Sequence, residues 1–316
     1  MISGSGQRRP DGTPVAGVDV GGGGCRVRVA WPGGSAEGAG EGVRVRGAGI
    51  DVDEVAAAVA AVLGRLRAQG APAPGAVGLG MTGLLTLADR PGGLHAALRE
   101  RLGVARTVVA PDAVTALVGA LGGLVPGAVV AAGTGAIALG TDGRGAWRRV
   151  DGWGHLLGDD GAGSWVGQAG LRAAFRAHDG RPRGSARLLE LARARYGAPE
   201  DLPRALYPAP DRAARLAAFA PDVALAAREG DPVAAAVWRG AGERLAEALL
   251  AAVPPGVPDP ALSRTGGLFA AGGLLLEPLA AALAAAGAPP LRAPRGGPLD
   301  GAVLLARDGA EAGPAA

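Results

Sequence analysis

Apolar and polar positions alternate along the chain with two periods, and together they predict an α/β protein. Val15–Val20 reads as a buried strand, Gly21–Gly24 as a turn, and Arg26–Trp31 as a second strand of alternating character. This is a hairpin rather than a strand feeding a helix. Val43–Arg46 reads as a weak third strand. Asp51 then opens a helix to about Gln69, with Glu54 in capping-box position. Its stripe of Val52, Val55, Val59, Val62, Leu63 and Leu66 has helical spacing. Ala76–Gly80 is a short strand, His95–Leu102 a helix, and Thr107–Ala110 a strand that runs through Pro111-Asp112 into a helix to about Leu121.

After Pro126 the pattern restarts. Ala128–Ala132, Ala136–Gly140 and Ala146–Val150 read as strands, the first two joined by Gly133-Thr134-Gly135. Helices follow, interrupted by a Pro- and Arg-rich stretch from Gly180 to Pro210 that reads as irregular. Asp231-Pro232 is a helix start, with Asp as cap and Pro at the first helical position, above a stripe of Val233, Val237, Ala241, Leu245 and Leu249. A strand ending near Thr265 leads through Gly266-Gly267 to a helix around Leu276–Ala286, and Gly301–Ala306 reads as one more helical turn. Two successive units, each led by a hairpin around a glycine turn, suggest a duplicated architecture with a site in the cleft between them.

Composition narrows the partners. The 316 residues exceed one ordinary hydrophobic core. All 32 basic residues are Arg, because the chain has no Lys, and it has no Asn either. With 57 glycines, roughly ten Gly-Gly pairs arise by chance, so only glycines in a specific context carry information. A net charge of +3, with no basic stripe interleaved with aromatics, argues against a nucleic-acid partner. The single cysteine, Cys25, excludes an internal disulfide framework and fits a reducing, cytoplasmic setting. Arg8-Arg9 lacks the apolar run of a signal, so residues 1–14 are expected to be a disordered start, as are 309–316 at the end. Ala248–Val253 and Gly266–Leu276 are too short to span a membrane, and a soluble protein is expected. His95 and His178 read as surface residues, and Trp147, Trp165 and Trp238 as core.

Five places could carry chemistry. In Gly17-Val-Asp-Val-Gly-Gly-Gly-Gly24, a turn without Cβ atoms can bring N–H groups to phosphate oxygens. Asp19, ending an apolar strand, is costly to bury unless it serves a cation or its waters; the plain alternative is a hairpin turn with an ordinary Asp. Asp112, between strand and helix, could take the proton of a hydroxyl, or could simply cap the helix. Gly133-Thr134-Gly135 places a hydroxyl at the apex of a tight turn. In Asp151–Ser164, two acids, Asp159 and Asp160, lie among glycines next to Trp153, a combination suited to the hydroxyls and flat face of a sugar. Thr265-Gly266-Gly267-Leu268 permits close approach of a flat ring.

In order and spacing these five resemble the actin-like sugar kinases, in the N-acetylglucosamine kinase branch of the BadF/BadG/BcrA/BcrD ATPase family. The resemblance runs from about Val15 to Ala306, and Gly152-Trp-Gly-His-Leu-Leu-Gly-Asp-Asp-Gly-Ala-Gly163 is similar to the family's GWGxxLGDEGSG. It implies two ribonuclease-H-like domains around an ATP–sugar cleft, one of residues 15–116 completed by about 292–308 and one of 117–291, in a homodimer. It further implies ATP and Mg2+ as cofactors, with Asp19 near the metal and Asp112 as catalytic base. Gly21, Gly22, Gly23, Gly24, Gly133, Thr134 and Gly135 would meet phosphates, and Gly266 and Gly267 would border the adenosine. Gly152, Trp153, Gly154, Asp159 and Asp160 would belong to the sugar site. The implied reaction is phosphoryl transfer to a hydroxyl, the 6-hydroxyl of an amino sugar above all. The chain departs from the pattern at three points. Gly23 and Cys25 stand where DxGGTxT has threonines, Pro111 stands before the catalytic Asp in place of Asn, and Gly47-Ala48-Gly49-Ile50 replaces a GxxN segment. These departures motivate a second reading, a non-catalytic sugar or nucleotide sensor. A BadF-type activator would need two cluster-binding cysteines per subunit, which Cys25 alone does not supply.

Overall fold

The computed structural model describes residues 2–5, 12–21, 24–43, 51–81 and 91–308. The chain forms two units, residues 1–125 with 293–316 and residues 126–292.

In the first unit, β2 (Val15–Gly21) and β3 (Gly24–Trp31) form the expected hairpin, in register from Val15↔Ala30 to Gly21↔Gly24. The third strand is β4 (Gly34–Gly40), not Val43–Arg46: Val43 is described outside any strand, and residues 44–46 lie outside the described residues. Its sequence, GSAEGAG, has no large apolar residue. It is a strand because the outer edge of β3 offers unpaired backbone groups, which β4 satisfies from Cys25↔Gly40 to Trp31↔Gly34. Helix α1 (Val52–Ala68) follows, and Asp51 caps it through the N–H of Asp53 at 2.9 Å. Then come β5 (Ala76–Met81), α2 (Pro91–Leu102), β6 (Arg106–Pro111) and α3 (Asp112–Leu121).

With a short β1 (Ser3–Ser5) at one edge, the sheet order is β1-β6-β5-β2-β3-β4, with β2, β5 and β6 parallel. The start of the chain is not disordered throughout, as expected, because β1 pairs antiparallel with the free edge of β6. Val18, Val27, Val29 and Leu79 of the sheet form the core with Val55, Val59, Val62 and Leu66 of α1. The last helix, α11 (Pro298–Asp308), is three turns long rather than one. It packs on α3, β2 and β5, which brings the end of the chain back to the first unit. Arg28 is ion-paired to Asp300, Arg106 donates to the carbonyl of Ala306, and the N–H of Arg295 donates to the carbonyl of Ala120 at 2.9 Å. The chain passes to the second unit at Pro126; a boundary at 117 would cut α3 in half. His95 is buried, contrary to expectation, because its Nδ1 meets the hydroxyl of Thr107 at 2.7 Å.

The second unit repeats the hairpin with β7 (Gly127–Ala132) and β8 (Ala136–Thr141), extended by β9 (Trp147–Asp151) and β10 (Ala261–Thr265) in the order β10-β7-β8-β9. Helix α4 (Gly163–His178) leads a helical layer. The Pro- and Arg-rich stretch is not irregular: it holds α5 (Ala186–Tyr196) and α6 (Leu202–Leu206), and Ser185 caps α5. There follow α7 (Arg212–Ala217), α8 (Ala220–Arg228) and α9 (Pro232–Ala252), then a short 3-10 turn (Gly267–Ala271) and α10 (Gly273–Ala285). Asp231 caps α9 by accepting from Val233 and Ala234. Trp238, Phe219, Leu245 and Leu262 anchor the core, while Trp147 and Trp165 are only half-buried. Among the described residues no helix is long and apolar enough to cross a membrane.

Candidate functional site

In the first unit the predicted acids collect at one end of the sheet's parallel strands. Asp19 pairs in register with Gly80 of β5, and Gly80 with Ala110 of β6, so Asp112 stands two residues beyond the same row. This is the carboxyl end of the parallel strands, where α/β sheets bind ligands. Asp112 is the first residue of α3 and Pro111 holds the capping position, so the carboxylate is not the helix cap. Its Oδ1 accepts the N–H of Ala113 at 2.8 Å. Asp19 faces Arg26 across the hairpin and is ion-paired with it, so part of the cation demand of a carboxylate in an apolar strand is met within the chain. Gly21 and Gly24 pair at the end of the hairpin; Gly22, Gly23 and the Gly47–Ile50 segment lie outside the described residues. Cys25 is fully buried, and burial, with Asp19 adding repulsion, pushes its thiol up to about 11. It is a core residue, not a phosphate contact or a reactive nucleophile.

In the second unit, Gly133, Thr134 and Gly267 line one cavity of about 410 Å³. The N–H of Gly163 donates to the carbonyl of Gly133 at 2.8 Å, and that of Ser164 to Thr134 at 3.0 Å, so the first turn of α4 holds the β7–β8 turn in place. Other walls come from residues that the sequence reading did not select: Ala217, Pro221, Ala224 and Arg228 of the α7–α8 region, and Trp238, which is both core and wall. Gly266 precedes the 3-10 turn that closes one side. The size suits a nucleotide-sized ligand.

The Asp151–Gly163 loop adjoins this cavity through Gly135. A Cβ at Gly135 would stand 2.7 Å from the Asp159 carboxylate, so only glycine permits the contact. Asp159 is 8% exposed, and burial raises its pKa, opposed by backbone hydrogen bonds from Ala136 and Gly154. Asp160 is exposed. Trp153 is 68% exposed with the Arg149 guanidinium 5.0 Å over its ring, and Arg149 also donates to the carbonyl of Gly152 at 2.6 Å. The organiser of the loop is Asp151, which sequence reasoning gave no role. Its two oxygens accept the N–H groups of Asp159 and Asp160, each at 2.8 Å. Gly158 leaves room for it, since a Cβ there would fall 2.2 Å from Asp151 Oδ1. Among the described residues no group of three or more His, Cys, Asp or Glu side chains could enclose a metal. A single carboxylate such as Asp19 still fits magnesium, which keeps most of its waters and takes its other ligands from phosphates.

The two mixed sheets and their connections define an actin-like ATPase fold. Over residues 16–304 the chain matches the sequence profile of the BadF/BadG/BcrA/BcrD ATPase family, and it belongs to that family. It is similar to a solved structure from Chromobacterium violaceum, provisionally assigned as an N-acetylglucosamine kinase: 31% identity, TM-score 0.70, covering 94% of this chain and 99% of that one. A ROK family glucokinase from Streptomyces griseus, solved with glucose and AMPPNP, is 25% identical with TM-score 0.56, covering 93% of this chain and 99% of that one. A curated relative, the N-acetylmuramic acid/N-acetylglucosamine kinase of Clostridium acetobutylicum, is 36% identical over 85 residues, a match that spans 27% of each chain.

Proposed function

We propose that the chain is an ATP-dependent sugar kinase that moves the γ-phosphoryl group of ATP to a hydroxyl of an amino sugar, the 6-hydroxyl of N-acetylglucosamine first among candidates. The observation that carries this reading lies within the second unit. There, a cavity of about 410 Å³ with a glycine-threonine turn is joined through Gly135 to a loop with a buried carboxylate and an exposed tryptophan. A nucleotide fits the first feature and a sugar the second. The solved relatives, one provisionally an N-acetylglucosamine kinase and one a glucokinase holding glucose and AMPPNP, support the same reading.

In this reading Gly133, Thr134 and Gly135 lie along the phosphates, with Gly266 and Gly267 beside the adenosine. Trp153 offers the sugar an apolar face, and Asp159, Asp160, Gly152 and Gly154 contribute to its hydroxyl contacts. Asp112 takes the proton of the attacking hydroxyl as its oxygen bonds to the γ-phosphorus and the bond to the ADP oxygen breaks. Asp19 would hold magnesium through water, and the ion would neutralise charge on the phosphates. A homodimer in the cytoplasm completes the proposal.

A second reading, binding without turnover, is favoured by one feature: Arg26 already occupies the Asp19 carboxylate, on the strand that also buries Cys25. A coupled assay of ADP release with Mg-ATP separates the two. The panel is N-acetylglucosamine, N-acetylmannosamine, glucosamine, N-acetylmuramic acid and glucose. ADP release that depends on one of them supports the kinase; ATP or sugar binding without ADP release from any member supports the sensor.

A further inference from the structure

The second unit carries another cavity, of about 380 Å³, between α4 and α9, lined by Trp165, Arg172, Arg176 and Arg183 over a floor that includes Val233 and Val237. We propose that it binds a small phosphate monoester. The cavity lies within this unit, and binding there does not depend on the proposed kinase activity.

Three arginines line one cavity, and none of the three is ion-paired among the described residues. Their neighbours are treated differently: Arg181 pairs with Asp179, Arg187 with Glu190 and Glu229, and Arg195 with Asp222. The nearby carboxylate of Asp231 is already engaged by Val233, Ala234 and the hydroxyl of Ser185. Arg172 and Arg176 stand four residues apart on one face of α4, where like charges repel. An anion in the cavity converts that repulsion into attraction, and guanidinium groups match the oxygens of phosphate in pairs.

Arg176 and the backbone of the loop that carries Arg183 are also held in place. Arg176 Nε donates to the carbonyl of Pro182 at 2.8 Å, which leaves its terminal nitrogens unused. The loop that carries Arg183 is tied to α4 by the N–H of Arg181 on the carbonyl of Arg176 at 2.8 Å, and by Ser185 on Ala173 at 3.2 Å. Arg183 itself sits at φ 62°, a left-handed conformation that costs a non-glycine residue free energy. At the other end, Arg244 stacks 4.6 Å over Trp165 and donates to the carbonyl of Gly240. A guanidinium fixed in advance, as that of Arg176 is, loses less entropy on binding. The aromatic and aliphatic floor gives a ring-bearing ester more contact than free phosphate. Trp165 directly follows Ser164, whose N–H holds Thr134, so an occupant is one residue from the support of the glycine-threonine turn.

The test is calorimetric titration of the full chain at low salt with glucosamine 6-phosphate, inorganic phosphate and unphosphorylated glucosamine. Glucosamine 6-phosphate is expected to bind, inorganic phosphate more weakly, and glucosamine not through this cavity. In R172Q/R176Q, two surface changes, the Kd for the ester should rise at least tenfold. In R183G, where glycine accepts the backbone angle freely, it should rise severalfold. Thr134→Val should leave it unchanged, which separates this cavity from the one lined by Thr134. Equal binding by wild type and R172Q/R176Q, loss of binding in Thr134→Val, or no binding by wild type would each overturn the proposal.

Discussion

Each unit has a hairpin around a glycine-containing turn, yet the two hairpins present different chemistry. In the first, charge stands at strand ends: Asp19 on β2 with Arg26 opposite, and Asp112 where β6 passes into α3. In the second, the β7–β8 turn carries no ionisable group and is held by amides of α4, and the cavity walls beside it are Ala, Pro and Trp with one charged residue, Arg228. One element order has thus been put to two uses. In the proposed reading the first unit would offer carboxylates to the reaction, while the turn of the second would offer backbone and shape to the nucleotide.

That division can be broken most sharply at Asp112. Asp112→Asn keeps an acceptor for the N–H of Ala113, so the fold should survive while sugar-dependent turnover falls about 10²–10⁴-fold, the usual worth of a general base. ATP affinity, measured by titration, should hold. Next in size is Gly158→Ala in the second unit. Its Cβ would fall 2.2 Å from Asp151 Oδ1 and disturb the carboxylate that holds the amides of Asp159 and Asp160. Loss of those two hydrogen bonds, one part-buried and one exposed, at about 1–2 kcal/mol together, predicts a sugar KM raised roughly five- to thirtyfold with a smaller change in the KM for ATP. Thr134→Val should do the reverse, raising the KM for ATP by about fivefold to tenfold, the worth of one hydroxyl contact, and sparing that for sugar.

The smallest effect is on stability, and its sign differs between the units. Burial, with the charge of Arg99, lowers the pKa of His95, so below its ordinary value of 6.5 the unfolded chain binds a proton that the native state resists. Stability therefore falls on acidification through that window, by at most about 1.4 kcal/mol per pH unit, and His95→Gln should flatten it in denaturant titrations. Asp159 has the opposite shift. Its raised pKa makes the native state hold the proton longer than the unfolded chain, so its contribution falls as pH rises from 3.8 through the native value.

Much of this was legible in the sequence where a residue acts locally. Asp51 and Asp231 announce their helices because a capping side chain reaches only two or three residues ahead. The Val-rich strands announce themselves because a buried strand needs apolar side chains. The strands β1 and β4 were not legible, since each forms on the edge of a neighbour and has no apolar pattern of its own. Helix α5 was hidden among Arg and Pro because few of its residues face the core, Leu188 and Ala192 being the buried ones. At the site, the Gly152–Gly163 loop stood out through adjacent acids, glycines and Trp153. Asp151 did not, because the amides it holds lie eight and nine residues on. The cavity walls of α7 and α8 were equally silent: an Ala that lines a ligand looks like an Ala that fills a core.

Phosphorus NMR of the full chain turning over Mg-ATP with N-acetylglucosamine shows where the γ-phosphoryl group goes. A sugar kinase gives a new phosphate-monoester resonance that grows in step with ADP and is absent without the sugar. ATP consumed to ADP and inorganic phosphate, with no sugar phosphate from this or any other amino sugar, would contradict it.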